Sequence, residues 1–376
     1  MTARLPALIA LTGTLLAGCS GNTESSSTSS ASQVVTAATL DSLPRLTFTD
    51  GGRVCLADGR NLCPLQAAVA NWLGEDLIAL WEPGRPIGAW KIGDSVAMRV
   101  GALGVQVGEY QNPAAIGGTS SGDLLVIDAQ TESLLRYDRS GKYIGSKPLP
   151  KLFGIRAWGF AGNLALLQRL YAADTASPAT LELKILKTAG DTGGRVALTT
   201  TIPWLRLNDD VVSATVPLFP TQPVYAVGED GAVVWSPADR FAINGISPRG
   251  TPEWSISSNL TGPPIDSTEI SARRAQLAQQ DVPAIDLDSM VAKTPATSAA
   301  VTGILINRDG RILVGRATSG DSAEYVMFSK TGEPLSRLVL GSRIHPLLLS
   351  GDSMLVHRPT DEEPWEVRWL LLSKTP

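Results

Sequence analysis

Histidine occurs twice and cysteine three times in 376 residues. That leaves little material for a zinc site or a thiol-centred catalytic pair. No Gly-x-Gly-x-x-Gly or phosphate-loop pattern is present, so nothing points to a nucleotide cradle. Positive charge is not in surplus: 32 Lys and Arg stand against 36 Asp and Glu, a net charge of −4. A nucleic-acid binder needs a basic footprint, which this composition excludes. Beyond the first twenty residues no apolar run reaches the length of a bilayer span. Nor is there a recurring Trp-Asp pair, the mark of one large class of repeat proteins.

What is present begins at the N-terminus. Arg4 precedes an apolar stretch, Leu5 to Leu16, too short to cross a membrane, and Leu16-Ala17-Gly18-Cys19 follows. This is the plan of a secretory signal ending in a lipobox. The expectation is a signal peptide over 1–18, lipidation of Cys19, and a flexible Ser-rich tether over 19–39. That tether holds too little apolar surface to offset ordering entropy. Ser20 stands where an inner-membrane retention signal places Asp. The expected address is therefore the outer membrane, facing the periplasm, with exposure at the cell surface also compatible. The membrane is thus one expected partner, through the lipid. In such an oxidising compartment Cys55 and Cys63 read as a disulfide closing a short loop. A metal pair is the alternative, but His345 and His357 are distant in sequence.

The domain expected over 40–376 is long for one ordinary core, and repeats resolve the difficulty. One signature is Gly, one or two mostly polar residues, then an apolar run. It opens at Gly122, Gly162, Gly231, Gly310 and Gly351. Gly suits a tight turn, and a short apolar run suits a buried strand. A second signature is an apolar residue, a polar turn, Gly, and another strand. It falls at Gly141, Gly190, Gly250 and Gly332, with Gly84 as a shortened copy, and is hairpin chemistry. The two signatures interleave into six units. The first lacks the opening Gly and the last lacks the hairpin Gly. Chain ends that share one closing sheet produce this pattern, with Leu46–Thr49 pairing beside Glu366–Leu372.

At these residues the chain resembles the six-bladed β-propellers of the NHL-repeat type. Gly122-Asp-Leu-Leu-Val-Ile-Asp128 followed by Leu134-Leu-Arg-Tyr-Asp-Arg-Ser-Gly-Lys142 looks most like their unit. It is also similar to six-bladed propeller lipoproteins of bacteria, which carry a charged helical excursion before the fifth unit. The expected fold is all-β, a six-bladed propeller with one helical excursion at about 266–281. Good N-cap residues start that helix and Pro283 ends it. A second insertion lies near 206–220.

Propeller lactonases and related hydrolases hold Ca²⁺ or Zn²⁺ over the central tunnel with Asp, Glu, Asn or His from several blades. Asp128, Asn163, Asn307 and Asp309 are the candidates for that chemistry, and turn residues flanking strands are the plainer reading. The corresponding strand ends do not repeat an acid: Asp128, Gln168, Pro237, Arg316 and Arg358. No metal, cofactor or catalytic residue is therefore assigned. Among nine tryptophans, Trp158 and Trp204 lie nearest predicted connections and are the candidates for partner contact. The expectation is a membrane-anchored envelope protein binding a protein, peptide or cell-envelope polymer through a ring face. The alternative is a metal-dependent hydrolase or lyase at the tunnel mouth.

Overall fold

A computed structural model describes residues 31–374, apart from 59–60, 66–67, 83, 151–154, 175–176, 187–193, 206, 209–210, 213–215, 280–283, 321 and 361–363. Cys19 and the signal lie outside the described residues, as does Gly190.

The chain is all-β with short helices. It opens with β1 (Ala31–Val34), α1 (Ala37–Asp41) and β2 (Arg45–Leu56). A four-stranded sheet follows: β3 (Val69–Trp72), β4 (Leu77–Trp81), β5 (Ile87–Lys91) and β6 (Met98–Val100). A two-stranded pair, β7 (Ala102–Leu103) and β8 (Glu109–Tyr110), leads to the next four: β9 (Pro113–Gly118), β10 (Leu124–Asp128), β11 (Ser133–Tyr137) and β12 (Tyr143–Pro148). Then come β13 (Ile155–Ala161), β14 (Leu164–Tyr171), β15 (Ala179–Leu186) and β16 (Arg195–Ile202). A small hairpin, β17 (Leu207–Asn208) and β18 (Val211–Val212), precedes β19 (Val224–Val227), β20 (Val233–Ser236), β21 (Ile243–Ile246) and β22 (Pro252–Ser257). Helices α2 (Ser267–Ala278) and α3 (Ala284–Ala292) fill the excursion. The chain ends with β23 (Val301–Ile306), β24 (Ile312–Arg316), β25 (Ser322–Phe328), β26 (Pro334–Gly341), β27 (His345–Ser350), β28 (Ser353–Pro359) and β29 (Trp365–Lys374).

Within each group of four, neighbours in sequence are antiparallel neighbours in space. The first strands of successive groups touch: β27 with β3, β3 with β9, β9 with β13, β19 with β23, and β23 with β27. The core is accordingly a series of wedges. Leu73, Tyr110, Ile116 and Tyr137 fill one between the first two groups. Ala115, Ile127, Ala165 and Leu167 fill the next. The series closes where Leu355 and Val367 meet Ile78 and Trp90. This is a propeller-like arrangement. Each fully buried side chain of this size contributes roughly 1.5–3 kcal/mol.

Closure occurs as the sequence anticipates: β2 pairs antiparallel with β29, Leu46 opposite Lys374 and Thr49 opposite Leu371. β2 also touches β26 in parallel, but only through Arg45 and Leu46. Three expectations need correction. The ordered part starts before residue 40. β1 pairs in parallel with β22, Val35 and Leu40 are buried, and Thr36 caps α1. Backbone pairing holds this stretch, which is why its Ser/Thr-rich composition conceals it. Second, Gly84 lies between β4 and β5, the wrong hairpin for the second signature. Third, the first unit does have an opening glycine: Gly74, followed by Glu75 and Asp76, turns between β3 and β4.

The excursion holds two helices. Asp266 accepts from the N–H groups of Thr268 and Glu269, while Glu269 returns the bond to Asp266, a reciprocal cap. None of the α2 side chains is fully buried. α2 rests on α3 instead, with Arg274 donating to Asp288 at 2.5 Å. α3 in turn meets the earlier insertion: the Leu218 N–H donates to the Met290 carbonyl at 3.2 Å.

Candidate functional site

Strand direction alternates within each group, so every first-to-second turn lies at one ring face and the connections between groups lie at the other. The glycine signatures therefore gather on a single face. Gly122 and Gly310 both adopt φ +85° there, a left-handed turn that a side chain resists.

At the centre of the glycine face stands Arg308, from the turn after β23. Its Nε donates to Glu229 Oε1 at 2.8 Å and one Nη to the Glu75 carbonyl at 2.9 Å. The other Nη donates to the Gly74 carbonyl. The guanidinium also lies 4.2 Å from the Trp72 ring centre. One side chain thus ties three groups of strands together.

Two of the four metal candidates, Asp128 and Asp309, have their carboxylates engaged by hydrogen-bond donors. Asp128 is buried and accepts from the N–H groups of Gln111, Asn112 and Gln130 and from the Thr131 hydroxyl. Burial pushes its pKa up, but those four donors outweigh it and hold the carboxyl below the usual range. Asp309 has burial opposed in the same way by Arg311. Asn163 carries its Oδ1 against Gly118, where even a Cβ would come within 3.0 Å. Asn307 donates to the Gly351 carbonyl at 3.2 Å. Its buried Oδ1 has no partner. Among the described residues no three His, Cys, Asp or Glu side chains form a metal-binding group.

One hydrolase-like spacing does occur, Gly118-Thr-Ser120-Ser-Gly122. It is the turn between β9 and β10, whereas a nucleophile elbow joins a strand to a helix. Thr119 holds it by accepting from the Asp123 N–H at 3.0 Å.

The connection face is more varied. Cys55 and Cys63 form the expected disulfide, with Cα atoms 5.8 Å apart. The loop they close is tied down by Arg85, which donates to the Asn61 carbonyl at 2.9 Å. Glu82 accepts from the Leu65 N–H at 2.8 Å. Beside it both histidines flank one ring: Trp365 lies 5.8 Å from His345 and 4.5 Å from His357. His345 and His357 are direct cross-strand partners. Burial lowers the His357 pKa, and His345 adds to that. A hydrogen bond with the Pro64 backbone and the charge of Glu82 act in the opposite sense.

The two tryptophan candidates lie on opposite sides of the β13–β16 sheet. Trp158, opposite Leu167 on β13, packs half-buried into the wedge with Ala115 and Leu125. Its surroundings are those of a core filler. Trp204 follows β16, and its indole N–H donates to the Thr221 carbonyl at 2.7 Å. It lines a cleft of about 670 Å³ shared with Thr200, Thr201, Trp235, Asn244 and Ser255. Trp235, Asn244 and Ser255 also line an adjoining cleft of about 490 Å³. Register explains the row: Trp235 pairs with Asn244, and Asn244 with Ser255.

No protein-family model matches the chain, and no curated protein sequence does. Among solved structures it is similar to a DUF4221-family protein from Bacteroides vulgatus. Identity is 8%, coverage 88% of this chain and 99% of that one, and the TM-score 0.48. A virginiamycin B lyase from Staphylococcus aureus aligns at 11% identity over 86% of this chain and 87% of that one, TM-score 0.35. YCF48 from Cyanidioschyzon merolae aligns at 11% identity over 87% and 88%, TM-score 0.39.

Proposed function

We propose that the chain is a lipid-anchored, six-bladed propeller of the NHL-repeat type. It binds a protein, peptide or cell-envelope polymer through its connection face. The count of six takes the eight-stranded sheet as two blades, because strand pairing joins its halves only where Arg45 and Leu46 of β2 meet β26. Cys19 carries the lipid and the outer membrane is the address.

One observation supports the choice of face. β1 runs parallel to β22, so it starts on the glycine side. Ala31 lines a cleft there with Glu229, Arg308 and Asp309. The chain leading back to Cys19 therefore departs from the glycine face. Eleven residues separate Cys19 from Ala31. Such a segment spans at most about 40 Å, and about 20 Å on average if flexible. The glycine face then lies toward the lipid, and the long connections with the Trp204 cleft point outward. Long excursions on a short-looped scaffold are where recognition concentrates.

The test uses lipidated protein in vesicles carrying a lipid-bound quencher. Labels at Ser140→Cys on the glycine face and Ser319→Cys on the connection face report depth. Stronger quenching at 140 supports the reading. Equal or reversed quenching overturns the choice of face. Failure to partition into membranes, with Cys19→Ser behaving as the wild type, overturns the anchor.

A further inference from the structure

The Trp204 cleft has a chemical character that narrows its ligand. Trp204 and Trp235 are half-buried, packed against the core that includes Leu181 and Leu205. Trp204 is locked through its N–H to Thr221, and both indoles keep an edge on the cleft. Around these rings stand Thr200, Thr201, Asn244 and Ser255, all neutral donors and acceptors. Asp239 and Arg240 are the charged lining residues, one of each sign, so the lining has no net formal charge.

Each property rejects a class. An anionic polymer would meet Asp239 as well as Arg240, and the lining has no surplus of positive charge to hold it. A purely apolar ligand would strip water from hydroxyl and amide groups without replacing their hydrogen bonds. A neutral polyhydroxylated chain meets both demands: its C–H faces stack on oriented indoles, and its hydroxyls pair with Thr, Ser and Asn. The adjoining cleft runs on from Trp235, Asn244 and Ser255 to Leu198 and Pro252, so the site is a groove rather than a closed pocket. A groove suits several linked units better than one.

We infer that the groove between the β13–β16 and β19–β22 sheets binds a neutral oligosaccharide, with Trp204 as the stacking platform. This rests on the reading of the connection face as the ligand-bearing one. Thr200 and Asn244 supply hydrogen bonds to sugar hydroxyls from the two opposing sheets.

The experiment is calorimetric titration of the full chain with tetra-N-acetylchitotetraose and, separately, maltotetraose, with indole emission recorded in parallel. The expected result is saturable binding of at least one tetrasaccharide with a shift in emission. Trp204→Ala weakens it about tenfold or more, and Trp204→Phe keeps most of it. Thr200→Ala and Asn244→Ala each weaken it several-fold without changing the melting temperature, which covers the case in which Trp204→Ala fails to fold. Absence of binding by both sugars at millimolar concentration overturns the inference, as does binding that all these variants leave intact. Binding of a proline-rich peptide in place of sugar also overturns it. If the sugars fail while the labels still place the connection face away from the membrane, only the ligand class falls. Reversed labels remove the choice of face itself.

Discussion

Arg308 is a surface-type residue in an unusual post. In sequence it is one more charge in a polar turn, and nothing local marks it. Its importance comes from three chain segments that meet only when the ring is assembled. Arg308→Met keeps length and apolar stem but leaves the Gly74 and Glu75 carbonyls and Glu229 without their donor. It is expected to cost about 2 kcal/mol in chemical denaturation. His357 offers a second test at this scale. Its folded pKa lies below the ordinary value of 6.5, so the unfolded chain takes up the proton first as pH falls. Stability is full above about pH 6.5 and declines from there toward the folded value. Thermal melts between about pH 7 and pH 5 should show that decline, and His357→Gln should flatten it. Carboxylates held low by hydrogen bonds, such as Asp128, lose their contribution only at more acidic pH.

Turns and strands were legible to different degrees. Glycine before an apolar run is local chemistry, and the turns at Gly122, Gly162, Gly231, Gly310 and Gly351 fall between first and second strands. Gly84 shows the limit of such a signal: it marks a turn without saying which hairpin owns it. Gly74, followed by Glu75, Asp76 and an apolar run, fits the opening signature as it stands, so the first unit was legible there; β1 is concealed by its lack of apolar alternation. Trp204 could be placed in a connection, but the cleft beside it exists only once two sheets stand side by side. Gly141 shows why the hairpin signature is strict. It adopts φ +79°, and a Cβ there would lie 2.3 Å from the Arg99 carbonyl oxygen. Gly141→Ala is expected to destabilise by more than about 1 kcal/mol in denaturant titration. The disulfide loop gives the other element-scale test. Reduction removes a nine-residue closure and should lower stability by about 2.6 kcal/mol on chain-entropy grounds. Denaturant titrations with and without a reductant read this directly.

For the whole molecule the governing fact is that, among the described residues, each group of four strands packs against a neighbouring group on both sides. Each wedge is built by two groups of strands, and the last wedge by the first and last groups. A break anywhere should therefore propagate, and unfolding should be cooperative despite the length of the chain. Truncation before Trp365 is expected to abolish the cooperative transition and to increase binding of an apolar dye.

Thr47 donates to Ser373 across 326 residues. β2, near the start of the chain, must wait for β29, the last strand. Until translation ends, β28 lacks its outer partner β29, and β2 has only its two-residue pairing with β26. Such a topology makes completion slow and dependent on chain-end encounter. It also makes the unfinished molecule vulnerable to pairing with its neighbours. The seam that gives the finished ring its permanence makes its birth the hazardous stage.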